Sequence, residues 1–368
     1  MINIVTPMRT LFPLFLAFVN TALAEVPKFA AHELATDLKG GYQVVVADVN
    51  GDGKPDLIAL ASGMTDLIWF ENPTWERHVL ASGFNRMINC SFEVIDGKPF
   101  IVLAHEFSND ASKSIGIVSV LTPNGRHDEP WKAQEIDRLP TSHRIRSLRF
   151  GGKTVFLNLP LTAADAKAPE YRGHIPIVYY RPGIWKREVL SIEEQGVLHG
   201  VWVEGENSFL TASFLGVARY NYRRGTWKRT LLTSGDPGLW PKSGSSDVAV
   251  VGPFVAAIEP WHGNQVVVYD SAHKTRKIID SSLVDGHTVI SAKLNDGVHP
   301  QIVAGYRGKG TSVYIYDLVG ADWNRTLLDD KMAAASCAAA DLNGDGRVDL
   351  VCIGSATTNL KWYENLGR

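Results

Sequence analysis

The sequence predicts an all-β protein, a seven-bladed β-propeller with four-stranded blades. Two observations predict this fold: the chain repeats with a period of about 49 residues, and each repeat contains four short strand-like runs separated by turn residues. Hardly any stretch has the apolar spacing of an amphipathic helix. Four strands in a unit of about 40–50 residues are typical of propellers, in which stacked sheets close into a ring.

The repeat is clearest near the two ends of the chain. The segment Ala47–Leu57 recurs as Ala340–Leu350, and each copy leads to a Trp-aromatic-Glu-Asn run, Trp69–Asn72 and Trp362–Asn365. A weaker anchor recurs at intervals of 42 to 56 residues, in most copies a Trp with a basic residue one or two positions later. The anchors are Phe29, Trp75, Trp131, Trp185, Trp227, Thr275 and Trp323. Seven anchors predict seven blades.

The strands of the first blade follow from alternating apolar residues and the turns between them. They are predicted at Tyr42–Ala47, Asp56–Ala61, Leu67–Glu71 and Glu76–Leu80. The last unit stops after its third strand, Leu360–Glu364, whereas Phe29–Leu34 reads as a lone fourth strand. We therefore expect the N-terminal strand to complete the last blade and close the ring, which protects the strand edges.

The N-terminal segment 1–24 reads as a signal peptide. Arg9 precedes the apolar run Leu11–Ala24, which ends in a small-x-small cleavage site and is too short to span a bilayer. We expect cleavage before Glu25, export to the periplasm or medium, and a mature propeller over residues 25–368. No later run is long and apolar enough for a membrane span.

The charge balance and the cysteines argue against several classes of function. The chain has 368 residues, with 37 Lys+Arg against 39 Asp+Glu, which gives no electrostatic case for binding nucleic acid or an anionic membrane. The three cysteines, Cys90, Cys337 and Cys352, lie far apart in apolar runs. They are predicted to be buried free thiols, not a disulfide framework or a zinc site.

Two acidic loops are predicted to bind a structural cation, Ca²⁺ or Mg²⁺. Each places oxygen ligands at positions 1, 3, 5 and 9, with Gly at position 6 for the sharp turn. The predicted ligands are Asp48, Asn50, Asp52 and Asp56 in the first loop and Asp341, Asn343, Asp345 and Asp349 in the last. This pattern resembles the integrin-like FG-GAP/VCBS repeat. These loops join the first two strands of their blades. They are therefore expected on one face of the propeller, opposite the face where the inner strands start.

Histidines concentrate at the predicted mouth, where inner strands start and the loops between second and third strands lie. His143, His199 and His287 start inner strands, and His105 and His262 occupy such loops. Three imidazoles from neighbouring blades suit Zn²⁺ with an open coordination position. On the same face, His105, Glu106, Glu259, Asn264 and Arg307 are candidates for substrate binding, and the last four could instead support the metal ligands.

At these residues the chain resembles the propeller domain of aldos-2-ulose dehydratase. The resemblance follows blade order over nearly the whole mature chain, and His262-Gly263-Asn264 is its most specific local motif. It implies a zinc-dependent carbon–oxygen lyase that acts on a keto-sugar such as anhydrofructose, glucosone or a 3-keto-glycoside. By position, His143 matches the proton-transfer histidine of that family, and His199, His262 and His287 match its zinc ligands.

The resemblance also has departures. In that family, cupin and lectin domains follow the propeller; because this sequence ends at Arg368, a step assigned to a cupin is expected to be absent. The loop beginning at Ala104 and the insertion Thr162–Gly173 also differ from the family pattern, which leaves the identity of the sugar open.

Two other functions remain open from the sequence. One is a non-catalytic, integrin-like or lectin-like binding module, which should lack tight zinc and tolerate loss of His143. The other is a different propeller enzyme, such as a polysaccharide lyase or a glycosidase. A glycosidase needs two facing carboxylates, for which Glu106 and Glu259 are the candidates.

Overall fold

The computed structural model describes residues 26–125, 129–270, 272 and 274–367, so the predicted signal segment 1–24 lies outside the described residues. These residues form seven four-stranded antiparallel sheets. Every inner strand packs beside the inner strands of both neighbouring blades, so the sheets surround a common axis. The seven-bladed propeller predicted from the sequence is confirmed. No helix within the described ranges is long and apolar enough to cross a bilayer.

The first four blades follow one another along the chain, each running from the axis outward. Blade one contains β2 (Gly41–Ala47), β3 (Asp56–Ala61), β4 (Asp66–Glu71) and β5 (Glu76–Ser82). Blade two contains β6 (Asn89–Ile95), β7 (Lys98–His105), β8 (Ile117–Thr122) and β9 (Lys132–Arg138). Blade three contains β10 (Ser142–Phe150), β11 (Lys153–Pro160), β12 (His174–Tyr180) and β13 (Arg187–Gln195). Blade four contains β14 (Leu198–Gly205), β15 (Ser208–Ser213), β16 (Gly216–Arg223) and β17 (Thr226–Thr233).

The remaining blades complete the circle. Blade five contains β18 (Asp247–Val251), β19 (Phe254–Glu259), β20 (Gln265–Tyr269) and β21 (Arg276–Asp280). Blade six contains β22 (Gly286–Ala292), β23 (Gln301–Tyr306), β24 (Ser312–Val319) and β25 (Asp322–Asp329). Blade seven contains β26 (Ala334–Ala340), β27 (Asp349–Gly354) and β28 (Leu360–Asn365), with the N-terminal strand β1 (Phe29–Ala35) as its outer strand. β1 pairs antiparallel with β28, so one blade joins the two ends of the chain.

Apolar side chains fill the interfaces between blades. Seven clusters of buried residues lie one in each interface; the cluster between blades one and two, for example, contains Trp69 and Leu103. A four-stranded sheet has two apolar faces, and stacking around an axis buries both. Each large side chain buried in this way stabilises the fold by about 1.5–3 kcal/mol.

The basic residues of the recurring anchor hold neighbouring blades together. At the junction of blades three and four, Glu194 of β13 accepts hydrogen bonds from Tyr220 Oη and Arg229 Nε, both at 2.9 Å. The same arrangement joins blades two and three through Asp137, which accepts from Tyr180 and Arg187. The other two junctions of this kind use Asp280 with Tyr316 and Arg325, and Asp329 with Tyr363 and Lys361. These charge-assisted bonds, partly buried at three junctions and exposed between Arg187 and Asp137, explain why the basic residue of the anchor recurs; at the last junction Lys361 of β28 takes its place.

The Trp-aromatic-Glu-Asn run also joins blades. Asn72 Nδ2 donates to Leu342 O of blade seven at 2.7 Å, and Asn365 Nδ2 donates to Leu294 O of blade six at 2.9 Å. Each asparagine therefore fastens its blade to the loop of the preceding blade. The amide of a buried asparagine is satisfied in this way, which is why the residue type recurs at this position.

One prediction about the cysteines is wrong. Cys337 and Cys352 form a disulfide, because the antiparallel register of β26 and β27 places them directly opposite each other. Cys90 is a buried free thiol, as predicted, and burial raises its pKa to about 12.

Candidate metal and proton-transfer site

A β-bulge near the start of the inner strand positions the side chains at the mouth. In five blades the pairing of the inner strand with its neighbour shifts at the second residue of that strand. The residues at this position are Tyr42, His143, His199, His287 and Ala335. A bulge leaves one residue outside the ladder and turns its side chain in a new direction. The repeated backbone irregularity therefore directs four functional side chains toward one end of the axis.

Three of the predicted histidines converge. His199, His262 and His287 each offer one ring nitrogen, and these nitrogens lie within 4.8 Å of one another. The Nε2 atoms of His199 and His262 are 3.4 Å apart. His199 and His287 are almost fully buried, whereas the His262 side chain remains 30% exposed. The cluster is thus closed on the protein side and open toward the mouth.

The far nitrogen of each ring is fixed by a hydrogen-bond acceptor. His199 Nδ1 donates to Ser246 O at 3.2 Å, His287 Nδ1 to Ala335 O at 2.6 Å, and His262 Nδ1 to Asp285 Oδ1 at 3.0 Å. A proton on Nδ1 leaves the lone pair on Nε2. This is the tautomer, and the kind of supporting contact, that histidine ligands of metals show in proteins.

The cluster fits a zinc ion. Three neutral imidazoles with an open fourth position form a donor set that catalytic zinc uses, and zinc prefers nitrogen ligands over the oxygen ligands that calcium takes. Arg307 adds a charge at the rim, and its Nη2 donates to Asp285 Oδ2 at 3.1 Å. Asp285 therefore holds both His262 and Arg307 in place.

The electrostatics keep these imidazoles neutral. Burial lowers the pKa of His199 and of His287 well below 6.5; the charge of Arg144 lowers the pKa of His199 further, and the charges of Arg307 and Arg144 lower that of His287 further. Burial also lowers the pKa of His262, although its contact with Asp285 acts in the opposite direction. A neutral ring at neutral pH has a free lone pair, which both a metal ligand and a base require.

His143 lies beside the cluster. Its ring centroid is 5.0 Å from that of His199, and its Nε2 is 2.8 Å from the Tyr42 hydroxyl. The same hydroxyl is 3.4 Å from His287 Nε2. Burial, with added repulsion from Arg144, holds the pKa of His143 well below 6.5. His143 is therefore a neutral group in contact with a hydroxyl that also reaches a candidate metal ligand.

A cavity of about 400 Å³ opens above these residues. Its lining includes Tyr42, His143, His199, His262, Trp261 and Arg307. Trp261 Nε1 and Arg307 Nε are buried donors without a hydrogen-bond partner among the described residues. A polar ligand in this cavity would satisfy such donors, as in other small-molecule sites.

Two predicted binding residues lie elsewhere, and the structure corrects their placement. His105 Nε2 contacts Ser119 Oγ at 3.0 Å, and its ring packs against Phe84 in the interior. Glu259 is fully buried and pairs with Arg276 at 2.9 Å. Neither lines the cavity. Because Glu259 is held inside blade five, Glu106 and Glu259 do not form the facing carboxylates of a glycosidase.

Of the other three residues predicted to bind substrate, one lines the cavity and two do not. Arg307 lines the cavity as expected. Glu106 does not, but it forms an ion pair at 2.5 Å with Arg86, which does line it. Asn264 is exposed, and its Nδ2 donates to Ser281 O at 3.0 Å, so it shapes the loop that follows His262.

The predicted cation loops are built from hydrogen bonds to their own backbone. Asp48 accepts from the N–H groups of Gly51 and Gly53, and Asp341 accepts in the same way from Gly344 and Gly346. The remaining predicted ligands also accept backbone N–H bonds: Asn50, Asp52, Asp56, Asn343, Asp345 and Asp349. Ca²⁺ or Mg²⁺ in these loops stays a prediction.

Sequence reasoning missed two members of the site. Tyr42 occupies the same second position of its inner strand as His143 in blade three, so the repeat itself carried the signal. Asp285 lies two residues before His287 and has positive φ, at 60°. Nothing in its sequence context distinguishes it from an ordinary turn aspartate.

Comparison with known proteins relates the chain to two families of propeller sequences. The family model of the aldos-2-ulose dehydratase β-propeller domain matches residues 115–272, and the FG-GAP repeat model matches residues 40–70. Aldos-2-ulose dehydratase of Phanerodontia chrysosporium is 24% identical over 243 residues.

The chain resembles the propeller domain of aldos-2-ulose dehydratase. The aligned region covers 56% of this chain and 26% of the fungal protein, so the chain spans about a quarter of that relative's length. The resemblance predicted from the sequence is confirmed at the level of the propeller domain.

Solved structures with the same architecture are far more distant in sequence. A chain of the mitotic checkpoint complex has a TM-score of 0.60 at 10% identity, with 98% of each chain covered. The structure of U3-55K has a TM-score of 0.61 at 11% identity and covers 92% of this chain and 99% of that one. These similarities concern the fold alone.

Proposed function

We propose that the protein is a zinc-dependent carbon–oxygen lyase that removes water or a glycosidic oxygen from a keto-sugar. The observation that carries this proposal is the convergence of His199, His262 and His287, each with its Nδ1 held by a hydrogen-bond acceptor, beside neutral His143 in an open cavity. The match to a dehydratase propeller supports a sugar-related substrate.

The metal, when bound, supplies a Lewis acid for the keto oxygen of the sugar, which acidifies the neighbouring C–H bond. His143 is the base in this proposal, because its lowered pKa keeps it neutral and able to accept that proton. The proton then returns to the oxygen that departs from the adjacent carbon. Overall, one C–H and one C–O bond break, a C=C bond forms next to the carbonyl, and no oxidant is needed.

The other cavity residues have positioning roles. Tyr42, 2.8 Å from His143 Nε2, orients the ring and offers a hydroxyl for proton exchange. Arg307 and Trp261 present unpartnered donors to the cavity, which suit sugar hydroxyls or the developing negative oxygen. The disulfide Cys337–Cys352 supports the proposal that the protein is exported, because disulfides persist in oxidising compartments.

The test combines metal analysis with a substrate panel. Purified protein is dialysed, its zinc content is measured, and 1,5-anhydrofructose, glucosone and 3-keto-glucosides are followed for the ultraviolet band of an enone. We expect about one tightly held zinc and turnover of at least one substrate. Protein that is folded but binds no zinc, or zinc-loaded protein that turns over none of them, would contradict the proposal.

A non-catalytic carbohydrate-binding propeller is the second candidate. The match of residues 40–70 to the FG-GAP repeat favours it, because that repeat forms the scaffold of integrin-like propellers. It predicts saturable sugar binding by calorimetry that persists after zinc removal and in His143→Gln, with no enone from any keto-sugar.

A further inference from the structure

A second cavity, of about 230 Å³, lies along the propeller axis below the histidines, and residues of all seven inner strands line it. Two guanidinium groups, Arg144 and Arg146, line its wall. They are alternate residues of β10, so they share one face of that strand. Asp247 of β18 is the single carboxylate among the described residues that line it.

This carboxylate does not neutralise the arginines by direct contact. Among the described residues, neither guanidinium forms an ion pair with Asp247, whose Oδ2 instead accepts the Val289 N–H at 3.0 Å. Burial raises the pKa of Asp247 to about 6 in spite of the nearby arginines. The cavity therefore holds two fixed positive charges and one carboxylate whose charge is disfavoured by burial.

Hydrogen-bond donors in the same wall are left unused. Asn89 Oδ1 accepts from Ile145 N at 2.9 Å and from Arg146 Nη1 at 2.7 Å, so these two donors fix the orientation of the amide. The Asn89 Nδ2 group is consequently a buried donor, and no described residue accepts from it. Within the described part of the chain, Arg146 makes its bonds, to Asn89 and to Ile145 O, through Nη1, and Nε and Nη2 have no partner there.

We propose that the axial cavity binds a small anion, such as chloride, inorganic phosphate or a short carboxylate, against Arg144, Arg146 and the Asn89 amide. An anion there accepts from Asn89 Nδ2, whose solvation was lost on burial, and offsets the repulsion between two buried like charges. Burial, with added repulsion from Arg144, lowers the pKa of Arg146 to about 10, although Asp247 acts in the opposite direction. The cavity adjoins the proposed metal site, because His287 also lines it and Arg144 Nη2 lies 3.3 Å from His199 Nε2, but the bound anion takes no part in the proposed lyase reaction.

The test is thermal unfolding of the full chain at constant ionic strength. A bulky sulfonate salt is replaced stepwise by chloride, phosphate or acetate, and the anion that saturates at the lowest concentration identifies the preferred class. An anion that binds only the folded state raises the melting temperature with its concentration, and we expect a rise of about 3 °C or more near saturation.

Two variants and a matched control locate the effect. Arg146→Gln removes a charge, and Asn89→Asp places a carboxylate in the cavity while keeping the acceptor for Ile145 N–H; both should lose the saturable rise. Arg149→Gln, an exposed arginine on the same strand, should keep it. An equal rise in all four proteins, or no rise in the wild type, would overturn the proposal.

A second measurement decides the matter if Arg146→Gln does not fold. Chloride exchanging with a protein site broadens its ³⁵Cl resonance, and phosphate or acetate competing for that site reverses the broadening. Broadening in the wild type that Asn89→Asp abolishes supports the axial site. Broadening that is the same in the wild type and Asn89→Asp, or absent from both, rejects it.

Discussion

The propeller carries candidate cation ligands at both ends of its inner strands, and the two sets are built in different ways. At the mouth, His199, His262 and His287 come from three separate blades, and one ring nitrogen of each lies within 4.8 Å of the others. In the acidic loops, the carboxylates of Asp48 and Asp341 already accept backbone N–H groups of their own hairpin. The candidate ligands at the mouth thus come together from separate blades, whereas those of each acidic loop belong to one hairpin and are also held by its backbone.

Blade six sharpens the comparison because its loop lacks the acidic ligands. Lys293 stands where Asp48 and Asp341 stand, and its ammonium group donates to Gly297 O of the same loop. Gln301 replaces the buried aspartate and accepts from Leu294 N at 2.9 Å. A covalently attached cation therefore occupies the loop in which Lys293 and Gln301 replace the first and last predicted acidic ligands, and a free cation in the other two loops stays a prediction.

Removal of an imidazole from the mouth should have the largest effect. In His262→Ala, two ligands remain, so we expect zinc affinity to fall by more than about 100-fold and lyase turnover to be lost. The fold should survive because this side chain is partly exposed. Zinc content and circular dichroism are the measurements. His174→Ala, an exposed histidine outside the cavity, is the control; equal zinc loss in both variants would contradict the site.

His143→Gln should separate proton transfer from metal binding. We expect zinc to stay bound, because His143 is not in the converging set, while kcat falls by about 10²–10⁴-fold. Tyr42→Phe, which keeps the ring and loses the hydroxyl, should produce a smaller fall. Turnover that is unchanged in zinc-loaded His143→Gln would remove this histidine from the mechanism.

The sequence predicted the fold and the three converging histidines because both follow from the repeat. The anchor residues recur since Arg187 and Arg229 each bind an acidic group of the preceding blade. A repeat position also specifies where an inner strand starts, and so placed His199 and His287 at the mouth. One sequence is enough to predict contacts that recur with the repeat and the residues at which strands start. It does not predict the direction of a side chain at the end of a strand or in a loop.

The errors occurred where a single residue determines direction or pairing. His105 is the last residue of β7 and points into the blade, whereas Glu106 follows it in the loop. Cys337 and Cys352 appeared unrelated because 15 residues separate them. They nevertheless flank the second acidic loop symmetrically, and the hairpin register that places Ala340 opposite Asp349 also places them opposite each other.

Buried histidines and the aspartates of the acidic loops should change the stability of the fold with opposite signs as pH falls. His105 is a buried imidazole outside the proposed metal site, so its effect can be measured without removing a metal ligand. Burial lowers its pKa to about 4, so the folded protein resists protonation while the unfolded chain accepts a proton near 6.5. Its contribution to stability is therefore complete above about pH 6.5 and is lost as pH falls toward 4, by at most about 3 kcal/mol.

Urea unfolding of the wild type and of His105→Gln across this range measures the effect. The variant should lose less stability between pH 6.5 and 4. Asp56 and Asp349 act in the opposite direction: burial raises their pKa, so their protonation on acidification favours the folded state. If the wild type and His105→Gln lose stability in parallel, the low pKa is wrong.

The smallest expected effect compares the two acidic loops with each other. Cys337–Cys352 ties the strands that lead into the blade-seven loop, whereas Val44 and Ala59 occupy the equivalent pair in blade one. Asp48→Ala removes the acceptors of two backbone N–H groups and Asp341→Ala those of three, and each change should cost about 1–2 kcal/mol.

The disulfide limits the freedom of blade seven, so Asp341→Ala should be the milder change in oxidised protein. The difference between the two variants should disappear when Cys337 and Cys352 are both replaced by Ser. Calcium titrated into the wild type should raise its melting temperature, and each variant should lose part of that rise. If Asp341→Ala is the more damaging variant while the disulfide is intact, the loop of blade seven depends on its own ligands and not on the covalent tie.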